Sequence, residues 1–300
     1  QQVERLLKHS KAAAFTENFV GQWLNLRDID FTSPDFRLYP EFDDLLKTAM
    51  LQETKLFFTE ILQNNLSLTN FVSSDFTFVN ERLAKHYGLK DIEGHKYRKV
   101  TLPADSHRGG VLTMGSVLKV TANGTSTSPV VRGAWLLDRI LGQPPAPPPA
   151  GVSAVEPDIR GATTIRQQLA KHRQIASCAT CHTKIDPLGF ALESFDVIGG
   201  WRTYYRSVGN GKPVMLEGRR APYSEGPKVD PADTLADGQK LVFAHDVLAA
   251  VLHVIFVDAR LDDGVERLLD DLLSLELRQP NRFGNVFYNF FLGHGWSPPI

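Results

Sequence analysis

Five prolines lie within six residues, at positions 144–149 of the sequence. Proline fixes the backbone φ angle at about −65° and lacks a backbone N–H, so a run of this kind favours extended polyproline II backbone and cannot lie inside a helix or a sheet. We therefore predict a stiff Pro-rich linker over 144–160, which separates a helical module at 1–143 from the rest of the chain. Segments of this composition are also bound by partner proteins, which is the alternative.

The module before the linker has the periodicity of amphipathic helices. Apolar residues recur three and four positions apart within 1–27 and again over 42–61. A shorter helix is predicted over 78–88 with Gly88 as its C-cap, and another is predicted to begin at Pro129 after a serine cap. We expect the apolar stripes of these helices to pack in the core.

Most of the chain after the linker is also predicted to be helical. One helix is predicted over 163–174 and a second over 188–199. The end of the chain returns to helical periodicity over 240–257, 264–275 and 283–292.

Only a few segments have the alternation that is typical of strands. A short strand is predicted at 95–102, and 201–207 and 212–218 are predicted to pair with each other. The predicted fold class is mainly α: a helical N-terminal module, the linker, a helical segment at 161–208, and a mostly helical C-terminal module at 209–300 with minor β.

The charge of the chain excludes some classes of partner. Lysine plus arginine number 33 and aspartate plus glutamate number 34, for a net charge of −1. This balance gives no electrostatic argument for binding nucleic acid or an anionic membrane. The longest apolar stretch, 241–257, contains His245, Asp246 and His253 and is too short and too polar to span a bilayer, so we expect no transmembrane segment in this sequence.

The only two cysteines of the chain, Cys178 and Cys181, are three residues apart, and His182 follows directly. In a helical turn, residues separated by three and four positions project to the same side. The two thiols could therefore form thioethers with the vinyl groups of one haem, and His182 could bind its iron from the same rigid element. The motif predicts a single covalent haem c and makes 161–208 a c-type haem-binding segment.

Two other chemistries use this cysteine spacing. A redox dithiol lies where a strand ends and a helix begins, whereas the segment before Cys178 is predicted to be helical. A structural zinc site takes four ligands, and Cys178, Cys181 and His182 supply at most three. The sequence therefore favours haem over both alternatives.

Two stretches carry a resemblance to a known family. They are RGGVLTMGSVLKVTANGTSTSPVVRGAWLLDRILGQPPAPPP, from residue 108, and LAKHRQIASCATCHTKIDPLGFALESFDVIGGWR, from residue 169. With the segments that precede them, they resemble the planctomycete cytochrome C family over 18–205, and 235–239 is similar more loosely. The resemblance implies a c-type haem and an exported protein, and it implies no substrate.

A covalent c-type haem also predicts a compartment. Such haem is attached outside the bacterial cytoplasm, so the expected localisation is the periplasm or the exported cell envelope. The first residues already have helical periodicity and lack the n-region and h-region of a signal peptide, which suggests a mature or trimmed fragment.

The second axial ligand decides what a haem held by His182 does. A methionine suits electron transfer, and an open position permits binding of peroxide or oxygen. Met114, in a short apolar segment, is the first choice for this second metal ligand, ahead of Met215, while Met50 is expected in the core. His172 is expected to contact a propionate or to cap a helix.

Buried haem propionates need cationic or hydrogen-bonding partners. Arg202 with Trp201 and Arg132 with Trp135 are the candidate partners. An ordinary surface ion pair is the alternative for each arginine.

The residues after the motif are predicted to line the edge of the haem. Pro187 is expected to end the tether helix, and Gly189 is expected to allow close approach to the ring. The apolar side chains predicted to form this wall are Leu188, Phe190 and Leu192.

Two functions from different classes fit these features. The first is a single-haem c-type cytochrome of the bacterial cell envelope that transfers electrons between redox partner proteins. The alternative is a haem-dependent oxidoreductase, or the electron-accepting subunit of one, with an open distal iron site. No G-x-S-x-G or H-E-x-x-H motif occurs, and Glu193 and Asp196 are explained as well by a solvated helix face as by an acid or base.

Overall fold

Helices are the most abundant regular structure among the described residues. The computed structural model describes residues 2–147, then 164–241 apart from 175, 210, 217, 236 and 237, and finally 246, 247 and 251. Within these residues the α-helices are α1 (Gln2–Leu7), α2 (Ala12–Trp23), α3 (Asp44–Gln63), α4 (Glu81–Tyr87), α5 (Gly115–Val120), α6 (Pro129–Arg139), α7 (Ile165–His172) and α8 (Ala176–Phe190). Short 3-10 helices lie at Leu26–Asp28, Leu68–Phe71 and Val111–Thr113.

Strands form three antiparallel sheets in the same part of the chain. The strands are β1 (Phe76–Val79), β2 (Arg98–Thr101), β3 (Tyr204–Ser207), β4 (Lys212–Leu216), β5 (Arg219–Lys228), β6 (Asp233–Thr234) and β7 (Lys240–Leu241). Strand β1 pairs with β2, β6 pairs with β7, and the third sheet has the order β3-β5-β4.

The prediction of a mainly α fold is wrong. Of the described residues, 43% are in helices and 16% are in strands, which form three sheets, so the composition is mixed α and β. The sequence analysis missed β5 because this central strand contains Pro222 and Pro227, and proline has no backbone N–H to donate to a neighbouring strand. Both prolines lie where the register of the sheet shifts, so neither removes a ladder bond that the sheet needs.

The predictions for individual strands and helices are partly confirmed. The strand predicted at 95–102 is confirmed as β2, whereas 201–207 and 212–218 do not pair with each other because β5 lies between them. Phe78 and Val79 belong to β1 instead of the predicted helix, which begins only after Asn80. The Asn80 side chain accepts the backbone N–H of Leu83 at 3.0 Å and so caps α4.

The main core lies where α2, α3, α5, α6 and α8 meet. Its fully buried or nearly buried members include Val20, Phe57, Val117, Leu136 and Leu188. The apolar stripe predicted over 42–61 packs largely in the core, although Leu45 is 72% exposed. The expectation is wrong for much of the stripe within 1–27, where Leu6, Phe15 and Phe19 are 56%, 51% and 42% exposed.

Two glycines bring the backbones of α6 and α8 into contact. A Cβ atom added at Gly133 would lie 1.9 Å from the carbonyl oxygen of Ile185, and one at Gly189 would lie 1.8 Å from that of Pro129. The residue numbers run in opposite directions, so the two helices cross antiparallel. Gly189 thus lies against the backbone of α6, and its predicted close approach to a haem ring stays a prediction.

The two expectations for the chain around Pro187 are wrong. Helix α8 continues through Pro187, and no second helix covers 188–199. A proline inside a helix costs about 3 kcal/mol, and the buried packing of this last turn against α6 offsets that cost. The following segment turns because Asp196 Oδ1 accepts the backbone N–H groups of Ile198 (3.0 Å) and Gly200 (2.8 Å).

The C-terminal predictions fall largely outside the described residues. The helix predicted over 240–257 is wrong at its start, because Lys240 and Leu241 form β7. The helices predicted at 264–275 and 283–292 lie outside the described part, as does the linker beyond residue 147. The domain boundaries stay predictions.

Among the residues that the structure describes, none of the helices has the length and apolar character that spanning a bilayer requires.

Candidate functional site

Helix α8 has two halves with different environments. Cys178, Cys181 and His182 are partly exposed, and both cysteines are free thiols. From Ile185 to Phe190 every residue is buried. The helix therefore holds the motif at the surface and is anchored by its second half.

His182 makes a hydrogen bond that fixes its tautomer. Its Nδ1 lies 2.8 Å from Oδ1 of Asp186, one helical turn later. An ionised carboxylate can only accept, so Nδ1 of His182 donates its proton to Asp186 in this pair. This is the arrangement in which proteins commonly present Nε2 to a metal.

Asp186 is fully buried and links two basic side chains. Its Oδ2 atom makes no hydrogen bond within the described residues and lies 3.6 Å from Nε of Arg173. Burial raises the pKa of Asp186, while His182 and Arg173 lower it and Asp233 raises it. Arg173 in turn lies 3.7 Å from Asp233, so the His182–Asp186 pair is connected to the segment that carries β6.

Arg132 is buried and bonds to the turn that follows α8. Its side chain is 1% exposed. It donates hydrogen bonds of 2.7–2.9 Å to the carbonyl oxygens of Leu192, Phe195 and Asp196. These bonds tie α6 to the turn that follows α8.

Arg202 also makes hydrogen bonds within the protein interior. It donates to Oε1 of Glu193 at 2.9 Å and to Oγ1 of Thr127 at 2.7 Å. Glu193 and Asp196 are 0% and 1% exposed, so the alternative of a solvated helix face is wrong for both. Arg206 completes this network with hydrogen bonds to Asp196 and Glu41.

Two segments of the chain match planctomycete cytochrome domains. Residues 108–205 match the family model PSCyt3, described as a protein of unknown function (DUF1588), and residues 1–89 match PSD4, described as a protein of unknown function (DUF1592). This confirms the resemblance at the level of domains. No curated protein and no solved structure matches the chain. All of α8 and the turn after it lie within the PSCyt3 match.

The other residues predicted to contact haem differ in how exposed they are and in what they pack against. Met114 is 3% exposed and belongs to the main core. Trp201 is 37% exposed, and its ring stacks on that of His107 with centroids 3.5 Å apart. The side chain of His172 lies outside the described residues. Trp135 is 9% exposed and packs in the main core.

The side chains predicted to line the haem edge face the protein interior. Leu188 belongs to the main core, Leu192 packs with Leu118 and Phe195, and the guanidinium of Arg166 lies 3.9 Å from the ring centroid of Phe190. Their contact with haem stays a prediction.

The sequence analysis missed Asp186. The signal was available, because a carboxylate four residues after a helical histidine lies on the same face. Among the described residues, no group of three or more histidine, cysteine, aspartate and glutamate side chains could hold a metal ion. The donor set for haem is different in kind: two thiols that form covalent bonds and one imidazole with a fixed tautomer. The residues present fit that set.

Proposed function

We propose that this chain is a single-haem c-type cytochrome module of the bacterial cell envelope, which transfers electrons between partner proteins. The observation that carries the proposal is the surface half of α8. It presents two free, partly exposed thiols three residues apart, and His182 beside them has Nδ1 committed to Asp186. The names of the two matching domains support the same assignment.

Each residue of the motif has a distinct task in this proposal. Cys178 and Cys181 would hold the haem through thioethers, and His182 would bind the iron through Nε2. When bound, haem supplies a one-electron iron couple. The buried half of α8, packed against α6 through Gly133 and Gly189, keeps the three groups on one rigid element.

The localisation follows from the proposed attachment. Because c-type haem is joined to its thiols outside the bacterial cytoplasm, we place the module in the periplasm or the exported cell envelope. Its partners would be redox proteins of that compartment.

Intact mass tests the attachment. The chain is expressed with an export signal and a haem-maturation system, with the double variant Cys178→Ser, Cys181→Ser as the matched control. We expect one added haem mass that survives acid extraction in the parent chain and none in the control. A colourless parent chain whose two thiols both react with an alkylating reagent would contradict the proposal.

One observation favours a second candidate, a haem-dependent oxidoreductase with an open iron position. Met114, the first choice as the second axial ligand, is buried in the core and not displayed at the surface beside the motif. An optical spectrum separates the candidates. A low-spin spectrum that carbon monoxide leaves unchanged supports the electron carrier, and a high-spin ferric form that binds carbon monoxide once reduced supports the oxidoreductase.

A further inference from the structure

We propose that Asp186 is a positioning residue that, through its hydrogen bond to His182, orients the imidazole towards haem iron and makes Nε2 a stronger donor. This inference rests on the proposed function. It adds a residue outside the C-x-x-C-H motif and predicts the direction in which that residue moves the reduction potential.

The geometry assigns the bond its direction. Nδ1 of His182 and Oδ1 of Asp186 are 2.8 Å apart, which is the distance of a charge-assisted hydrogen bond. Both residues lie on α8, one turn apart, so the helix itself fixes their separation. The imidazole is 15% exposed and the carboxylate 0%, so the bond points from the surface of the helix towards its buried half.

The environment of the carboxylate distinguishes it from a surface ion pair between neighbouring turns. An exposed pair of this kind is solvated and contributes little to stability. Asp186 is instead withdrawn from solvent, and its Oδ2 atom makes no hydrogen bond within the described residues. The described group nearest to this atom in an ion pair is the guanidinium of Arg173, at 3.6 Å.

A second layer holds Asp186 in place. Arg173 lies immediately beyond α7 and contacts Asp186 Oδ2 at 3.6 Å and Asp233 Oδ2 at 3.7 Å. Arg166 reaches the same Asp233 atom at 3.3 Å. Arg173 thus supports the Asp186 carboxylate that bonds to His182. Second-layer contacts of this kind orient metal ligands.

The electronic consequence has a definite sign. A carboxylate that accepts the Nδ1 proton raises the electron density on the imidazole, and a more basic ligand stabilises ferric over ferrous iron. Removing the negative acceptor should therefore raise the midpoint potential of the haem-loaded chain.

Spectroelectrochemical titration of haem-loaded variants tests this. We expect Asp186→Asn to increase the ratio of reduced to oxidised haem about tenfold at a fixed potential, a rise of about 59 mV for one electron. Asp186→Glu, which keeps the charge, should restore most of the parent value. The matched control is Asp233→Asn, which removes the same charge from the same Arg173 network without touching His182, and its shift should be much smaller.

The outcomes separate the inference from the proposed function. A haem-loaded Asp186→Asn chain whose potential is unchanged, or moves no more than that of Asp233→Asn, overturns the inference and leaves the cytochrome assignment standing. A parent chain without added haem mass overturns both. Urea denaturation of the same variants identifies a purely structural role, because such a role changes the free energy of unfolding without moving the potential.

Discussion

The two halves of α8 differ in composition: most of its polar residues precede Ile185, and Asp186 is the only polar residue from Ile185 to Phe190. In the first half, Cys178, Cys181 and His182 are partly exposed, and only the histidine is committed to a neighbouring carboxylate. Beyond Ile185, the acidic groups of the helix end and its turn are buried, and their hydrogen-bond partners include basic side chains: Asp186 with His182, Glu193 with Arg202, and Asp196 with Arg206. The groups proposed to bind haem thus lie in the surface half, and the buried acidic and basic residues beyond it, apart from Asp186, hold the fold together.

Arg132→Met should give the largest effect, because Arg132 on α6 donates to the turn that follows α8. We expect the free energy of unfolding to fall by about 3–5 kcal/mol, because several buried carbonyl oxygens lose a donor and the carboxylate of Glu193 loses a cation 3.9 Å away. Urea denaturation followed by tryptophan fluorescence measures this loss. Arg139→Met is the control on the same helix, since Arg139 is 37% exposed and should contribute less than about 0.5 kcal/mol. Equal losses would mean that burial does not distinguish the two arginines.

Gly189→Ala tests the contact between α6 and α8. The new Cβ would overlap the carbonyl oxygen of Pro129, so the helices must separate, and we expect a loss of about 3 kcal/mol. Gly21→Ala is the matched control within α2, because its Cβ would meet Arg27 at an ordinary 3.5 Å and should leave stability unchanged or slightly higher. Thermal unfolding by circular dichroism compares them, and a neutral Gly189→Ala would contradict the crossing.

Glu53 on α3 is another buried carboxyl group, and it accepts its hydrogen bonds from hydroxyl groups rather than from arginine. The pH dependence of stability tests this difference. Burial raises the pKa of Glu53 to about 7, although Thr77 and Tyr87 lower it. The folded state then binds this proton more tightly than the unfolded state does, so stability decreases as the pH rises from about 4.5 to about 7.

Glu53→Gln should remove this pH dependence. We expect the difference in free energy of unfolding between the variant and the parent chain to change by about 2 kcal/mol in the variant's favour from pH 5 to pH 8. The partly exposed Glu60 on the same helix supplies the control, Glu60→Gln, which should show no such change. Parallel stability curves for Glu53→Gln and the parent chain would contradict the raised pKa.

The smallest effect is expected at the surface half of α8. In the haem-free chain, Cys178→Ser should change the free energy of unfolding by less than about 0.5 kcal/mol, because the thiol is partly exposed. Ile185→Ala, in the buried half of the same helix, should cost about 2–4 kcal/mol. Denaturation midpoints that are the same for both variants would remove the distinction between the halves.

The sequence predicted the surface half better than the buried half. Spacing alone placed Cys178, Cys181 and His182 on one helical face, and helical periodicity located α3 and α7. The same reasoning could not identify Arg132 or Glu193 as structural, because a charged residue reveals its partner only when distant segments meet. The prolines led to wrong predictions for a related reason. Packing against α6 offsets the cost of Pro187 inside a helix, and register shifts accommodate the prolines of β5. Neither effect can be read from the local sequence alone.

The central claim is that one haem is joined to α8 through both cysteines. The pyridine haemochromogen spectrum of the purified, exported chain tests it most directly, because its absorption depends on how many vinyl groups have become thioethers. The account predicts the spectrum of a haem with two thioethers in the parent chain and of one thioether in Cys178→Ala. A spectrum of unmodified haem, or no haem absorption at all, would contradict it.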